Sequence, residues 1–230
     1  MITVENIKPW GFEHAIRGMR NAMNSWDKSD SGYRASGKRY ENVDYVVGQN
    51  DLDLMHRLYS ASLNGDNHAH RKFLRQIFVS MDIIAPLYWW KEFDTYKIGV
   101  TTNSCSTMHT IHKKEFELDD FSHEHLFDVI DSGEILYDLS VSDSPAGSMA
   151  HLIFTLNQAR QLYLKTKNKK YWWHMIQLLP SSYNQRRTVT MNYENAITII
   201  SQRRGHKLDE WIHFCDYLTE LPYLEKIVRG

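Results

Sequence analysis

Arg203 is the residue of this chain with the most chemistry to account for. At roughly 100° per residue, Ala196, Ile199, Ile200 and Arg203 share one face of a helix that starts after Asn192. That face is otherwise apolar. A guanidinium carried on it needs an anion, a carboxylate partner or water, because desolvating it unpaired is costly. Two readings stay open. One is a structural ion pair or a side chain snorkelling at the helix end. The other is an arginine aimed into a pocket for an anionic or electron-rich ligand.

Other segments carry chemistry in weaker form. Asn103, Ser104, Cys105, Ser106 and Thr107 form a run of small polar residues whose main-chain N–H groups could cradle a phosphate, although serine-rich loops without that role are commoner. Cys105 is open to a nucleophile reading, but no Cys-His pairing is visible from spacing, and an inert thiol is the better expectation. The pairs His68/His70 and His123/His125 are spaced i, i+2 and do not face the same way on a helix, so no metal site is expected. Arg34, Lys38 and Arg39 lie in a segment, Asp27 to Asn42, that reads as a loop, either solvated or covering a phosphate-bearing ligand.

These residues need elements to hold them. Pro180, Ser181 and Ser182 break the preceding helix, and Arg187 to Met191 alternates β-branched residues as a short strand. Asn192 is a good N-cap with Glu194 in the first turn, and Gly205 stands in the usual stop position. Upstream, Ile2 to Val4 reads as a short strand, Gly11 to Trp26 as an amphipathic helix, and Leu52 to Ser62 as a second helix. Ile77 to Ile84 reads as a central strand leading into Ala85-Pro86, with the proline at the first helical position. Phe121 to Ile130, Ser148 to Lys165, Tyr171 to Leu179 and Leu208 to Leu221 read as further helices, and Ser140 to Gly147 as a loop. The aromatic helix carrying Leu87, Tyr88, Trp89, Trp90 and Phe93 is apolar on most sides and is expected to be buried or to sit at a subunit contact.

The order LP, Arg186, T-x-N, an amphipathic helix ending in Arg203, then His206 and Trp211 resembles the C-terminal segment of the flavin-dependent thymidylate synthases. In that family an LP…TRFFWTxN segment leads to a helix ending in an LR pair, with a His and a QW after it. The resemblance spans roughly Asn64 to Tyr217, with weak similarity in the middle. The family's H-E-T-P-F-E-H stretch is here His70-Arg71-Lys72-Phe73-Leu74-Arg75-Gln76, and its strand–AP–helix order is kept. Where the family carries R-H-R and a later serine, this chain has Thr95-Tyr96-Lys97 and Cys105.

The resemblance implies a single α+β domain over residues 1–230, a small central sheet flanked by helices. It implies FAD as cofactor, NADPH and methylenetetrahydrofolate as co-substrates, and one-carbon transfer, methyl or hydroxymethyl, to a pyrimidine nucleotide such as dUMP. Arg203 would polarise the pyrimidine as the catalytic group. Glu92, Asn103, Ser104, Cys105, Ser106, Thr107 and Arg186 would hold the substrate, and His70, Tyr96, Lys97, Thr198 and His206 the flavin. Family members are homotetramers whose sites combine residues from several subunits. The exchange of two arginines for Thr95 and Lys97 forfeits bidentate phosphate recognition, which leaves a non-catalytic nucleotide-binding relative as the alternative.

Composition narrows the remaining classes. Of 230 residues, 42% are hydrophobic and 24% charged, as in an ordinary globular chain with room for a proper core. The net charge of −1 gives no global basic field of the kind nucleic-acid binding needs, although Lys169 and Lys170 lie beside Tyr171, Trp172 and Trp173. The two cysteines, Cys105 and Cys215, make neither a disulfide framework nor a zinc pattern. No signal peptide or spanning run is visible, so a cytoplasmic protein with no membrane partner is expected. Seven tryptophans and 13 tyrosines fit either an aromatic core or a pocket for planar ligands.

Overall fold

The computed structural model describes residues 1–36, 42–64, 68–126 and 144–230. In chain order the elements are β1 (Thr3–Trp10), α1 (Phe12–Arg20), β2 (Gly32–Ser36), β3 (Asn42–Val46), α2 (Gln49–Ser62), β4 (Phe78–Pro86), α3 (Leu87–Phe93), β5 (Val100–Ser104), α4 (Thr107–Thr110), α5 (Pro145–Thr166), α6 (Lys169–Leu178), β6 (Asn184–Asn192), α7 (Tyr193–Arg203), α8 (Asp209–Thr219) and α9 (Leu224–Arg229). Four strands form an antiparallel sheet in the order β1-β4-β6-β5, and β2 pairs with β3 as a separate hairpin. The class is α+β, as the sequence leads one to expect.

Strand β4 shows why the sheet forms. Val79, Met81, Ile83 and Ala85 are buried and alternate with partly exposed Phe78, Ser80, Asp82 and Ile84, the period-2 pattern of a strand with one covered face. The other face carries polar pairs: Ser80 Oγ lies 2.9 Å from Thr190 Oγ1, and Asp82 accepts from Thr188 Oγ1 at 2.6 Å and from Asn6 Nδ2 at 2.9 Å.

By its contacts the chain divides into two compact units. The first comprises Met1–Thr3, Ile83–Thr95 and Asn103–Arg187; the second comprises Val4–Asp82, Tyr96–Thr102 and Thr188–Gly230. The core of the first holds Ile111, Phe116, Phe121, Met149, Leu156, Ala159 and Met175, with α5 packed on α6. In the second, α2 packs on α9 and α7 on α8, and Leu52, Met55, Ala196, Ile199, Phe214 and Ile227 are buried.

Several boundaries differ from the sequence expectations for physical reasons. The helix expected over Gly11 to Trp26 ends at Arg20, which is buried and donates from Nε to Asp51 at 2.5 Å, and Asn24 at φ 45° breaks the path beyond it. The expected loop from Asp27 to Asn42 contains β2, whose five residues were too short a run to show alternation; Arg34 lies on it across from Asp44, and Lys38 and Arg39 lie outside the described residues. The expected strand at Ile2 to Val4 runs on to Trp10.

Pro86 is the N-cap of α3 rather than its first residue. Helix α5 starts at Pro145, capped by Ser144, rather than at Ser148. The expected helix from Phe121 to Ile130 is replaced at its start by a bridge from Phe121 to Tyr183 and a 3-10 turn at Glu124–Leu126, the rest lying outside the described residues. Gly205 does not close α7 by a left-handed turn: the cap is Arg204 in right-handed helical geometry. Helix α9, after the predicted stop at Pro222, was not anticipated.

Candidate functional site

In the second unit the site is built outward from the start of α7. Asn192 accepts from the Asn195 N–H at 2.9 Å, and Asn195 Oδ1 accepts from the Asn192 N–H at 3.4 Å, a reciprocal cap that satisfies donors a helix start leaves open. Asn195 Nδ2 also donates to Ile98 O at 2.9 Å. Gly99, at φ 76°, packs so closely on this cap that a Cβ there would stand 2.7 Å from Asn192 Nδ2 and 2.8 Å from Asn195 Oδ1. The cap thus fixes the turn that carries Tyr96 and Lys97.

Helix α7 delivers Arg203 to the same neighbourhood. Its guanidinium lies 4.7 Å from the Trp211 ring centroid and 5.7 Å from that of Tyr96, and Nε donates to Tyr96 Oη at 3.0 Å. Tyr96 Oη in turn donates to Gln202 Oε1 at 2.9 Å, so the phenol accepts from one arginine and donates to an amide. Trp211 is fully buried, Arg203 half-buried. His206 receives the Leu208 N–H on Nδ1 at 3.1 Å and sets its ring edge-on to Trp211 at 6.2 Å. The cation lies within reach of both the indole and the phenol ring, an arrangement worth about 0.5–2 kcal/mol according to how far it is desolvated.

The other flavin candidates fall in the same unit. His70 is exposed and lines, with Lys72, Arg75 and Gln76, a hollow of about 530 Å3. Lys97 is exposed next to Tyr96, and Thr198 Oγ1 donates within its own helix to Glu194 O at 2.9 Å. The Glu194 carboxylate takes Nε of Arg71 at 2.8 Å and is also bound by Arg75. Burial would raise its pKa, but these two arginines outweigh that and hold it below the usual carboxylate range.

The substrate candidates fall in the first unit. Asn103 and Ser104 end β5, while Ser106 caps α4 by accepting from His109 N–H, so the expected loop is half strand and half helix start. The Cys105 N–H is taken by Arg186 O at 3.0 Å, and Gln185 Nε2 donates to Cys105 O at 3.2 Å and to Thr107 Oγ1 at 3.1 Å. Cys105 and Arg186 are exposed; Glu92 is half-buried, its carbonyl accepting from the Thr95 N–H.

The sequence reading missed Arg187. Its guanidinium lies 4.2 Å from the Trp90 ring centroid and donates to Asp94 Oδ1 at 2.7 Å, with 13% of the side chain exposed. The signal was present: Val189 and Met191 are buried, so by a period of two Arg187, not Arg186, faces the covered side of β6. Tyr96 as the partner of Arg203 left no signal, because residues 107 positions apart meet only through the fold. Among the described residues no group of His, Cys, Asp or Glu could hold a metal ion, and no helix is long and apolar enough to cross a membrane.

A four-stranded antiparallel sheet with α7 running out of β6 and ending in an arginine has the fold of the flavin-dependent thymidylate synthases. Two solved structures carry the comparison. Flavin-dependent thymidylate synthase ThyX from Helicobacter pylori, complexed with FAD and dUMP, matches 97% of this chain and 95% of its own with a TM-score of 0.62 at 18% identity. Thymidylate synthase X from the same organism with FAD and dUMP matches 100% of both chains with a TM-score of 0.63 at 16% identity. At these identities the likeness is one of fold. No protein-family model matches the sequence, and no curated protein does.

Proposed function

We propose that this chain binds FAD and a pyrimidine nucleotide and transfers a one-carbon unit, methyl or hydroxymethyl, from methylenetetrahydrofolate, most simply converting dUMP to dTMP. The observation that carries the reading is Arg203: half-buried, its guanidinium 4.7 Å from the Trp211 ring centroid, and donating through Nε to the Tyr96 hydroxyl. A guanidinium held in this way is preorganised to favour negative charge developing on a pyrimidine carbonyl, which is differential stabilisation of the transition state.

The chain's own groups fit a flavin dinucleotide. His70 and Lys72 open on a hollow of about 530 Å3 and offer a donor and a cation for a pyrophosphate, and Lys97 stands exposed beside Tyr96. In the methyl case FAD, when bound, would supply the hydride, drawn from NADPH, that reduces the transferred carbon; a hydroxymethyl transfer would take up water and need no hydride. The protein's share is to hold, orient and exclude water. We assign His206 to positioning, since its Nδ1 is engaged by the Leu208 N–H and its ring braces Trp211. Exposed Phe154 and Leu162 on α5 and Trp173 on α6 support a homo-oligomer, for which we propose a tetramer in the cytoplasm.

The test is turnover of dUMP to dTMP with FAD, NADPH and methylenetetrahydrofolate, alongside a flavin band at about 450 nm. Turnover abolished by Arg203→Ala with retained flavin supports the reading; protein that neither colours on FAD addition nor turns over dUMP refutes it. One observation favours a second reading, a relative that binds nucleotide without turnover: Tyr96 spends its hydroxyl on Arg203 and Gln202, and Thr95 and Lys97 flank it where R-H-R would supply two arginines. Flavin and dUMP binding without product would decide for it.

A further inference from the structure

Where α2 packs on α9, the second unit holds a hollow of about 1010 Å3 that the reading above does not use. It shares no lining residue with the hollow at His70. Three elements each bring a cation to it: Lys28 from the 3-10 turn Trp26–Lys28, Arg57 from α2 and Lys226 from α9. All three side chains are exposed, and among the described residues none of them forms an ion pair. Arg57 Nε makes one long bond, at 3.4 Å, to the Asp53 carbonyl of its own helix. Like charges turned to one concavity repel while it is empty and focus a field on an anion that enters it.

The nearby carboxylates are engaged elsewhere. Asp51 accepts from Ser29, Ser31 and Arg20, so Arg20, which also lines the hollow, is already matched. Asp30 accepts from the N–H groups of Asn50 and Asp51 at 3.0 and 3.2 Å, which closes the start of α2 and leaves recognition to side chains. Asp53 is the one carboxylate side chain on the lining, and it takes Gln49 Nε2 at 2.7 Å. Gly230 closes the rim against His56, where a Cβ would stand 3.1 Å from Nε2; among the described residues no ion pair ties its main-chain oxygens to the three cations. His56 donates through Nδ1 to Ile227 O at 3.2 Å. Apart from that imidazole the lining has no aromatic ring, so little there would stack a base. Three separated cations, one of them a guanidinium fork, suit an anion whose charge is spread over several phosphate centres.

We infer that this hollow is a separate binding site for a triphosphate group, inorganic or carried by a nucleotide, held by Lys28, Arg57 and Lys226. The inference is independent of the flavin and pyrimidine reading.

The probe is inorganic triphosphate, titrated calorimetrically into the full chain without divalent metal, alone and again with FAD and dUMP in excess. The expected result is saturable binding, unchanged by FAD and dUMP, that weakens steeply as salt rises to about 0.3 M. ATP should bind within a few-fold of triphosphate and adenosine not at all, because the phosphates carry the recognition. Arg57→Gln and Lys226→Ala should each weaken affinity about fivefold with unchanged circular dichroism. Lys8→Ala, an equal loss of exposed charge outside the hollow, should leave it as it was. Asp53→Asn should tighten binding a few-fold, a gain that a damaged fold would not give. Absence of saturable binding overturns the inference, as does displacement by FAD or dUMP, or ATP binding where triphosphate does not. So does affinity that falls as far in Lys8→Ala as in Arg57→Gln, or that is undiminished in both Arg57→Gln and Lys226→Ala.

Discussion

Arg203 and Trp211 stand eight positions apart on successive helices, yet the guanidinium lies 4.7 Å from the centre of the indole. The buried indole gives the cation a flat, apolar floor, and the Tyr96 phenol accepts from its edge. Removing the phenol oxygen alone isolates that edge contact. Tyr96→Phe should cost only about 1 kcal/mol of stability, a typical net value for a partly exposed hydrogen bond, while lowering turnover more than it lowers flavin binding. Chemical denaturation and a kcat-against-KM comparison check both halves.

Gly99 ties the Tyr96 turn to the cap of α7. Gly99→Ala places a methyl group 2.7–2.8 Å from the two cap amides on a backbone with φ 76°. We expect destabilisation of about 1–3 kcal/mol from the strained conformation and the disturbed cap together. A fall in Tm accompanied by weaker flavin binding is the expected outcome; an unchanged Tm would show that the cap and the turn are not coupled.

The buried pair of Arg20 and Asp51 anchors α1 to α2 in the second unit, with Ser29 and Ser31 also donating to the carboxylate. Burial alone would raise the Asp51 carboxyl, but the serine and arginine hydrogen bonds outweigh it and hold the group below its usual 3.8. A carboxyl depressed in the folded state adds stability that is present above its unfolded pKa and is lost as pH falls through the folded one. Asp51→Ala should therefore cost about 3–5 kcal/mol near neutral pH, because it strands a buried guanidinium. It should also flatten the acid limb of the stability curve below about pH 4. Denaturant melts at several pH values measure both effects.

The two thiols should separate cleanly. Cys105 is exposed, while Cys215 is buried and burial pushes its thiol up to about 11. Titration with a thiol reagent at pH 8 should label one cysteine in the native protein and both in denaturant. Two fast thiols in the native state would contradict the packing of α8.

How much of this was legible in the sequence depends on the range of each interaction. Asn192 as a cap, β4 as an alternating strand and the helical face of Arg203 are local patterns, and the structure has all three. The hairpin of β2 and β3 escaped because its pairing, Tyr33 with Tyr45 and Arg34 with Asp44, lies between segments and not within either. The stop of α1 escaped because Arg20 is held by Asp51, 31 residues on. The same limit governs the candidate site. The face of Arg203 could be read from spacing, whereas the choice of Tyr96 and Trp211 as its walls is made by the tertiary fold. Arg187 is the instructive exception, since strand parity alone would have preferred it to Arg186.

The central claim is that Arg203 meets a pyrimidine nucleotide, and calorimetric titration of dUMP into FAD-loaded protein tests it most directly. We expect saturable binding to the wild type, and binding at least tenfold weaker, about 1.4 kcal/mol, in an Arg203→Ala variant of unchanged circular dichroism. Wild-type protein that binds no dUMP, or a variant that binds it equally well, would contradict the account.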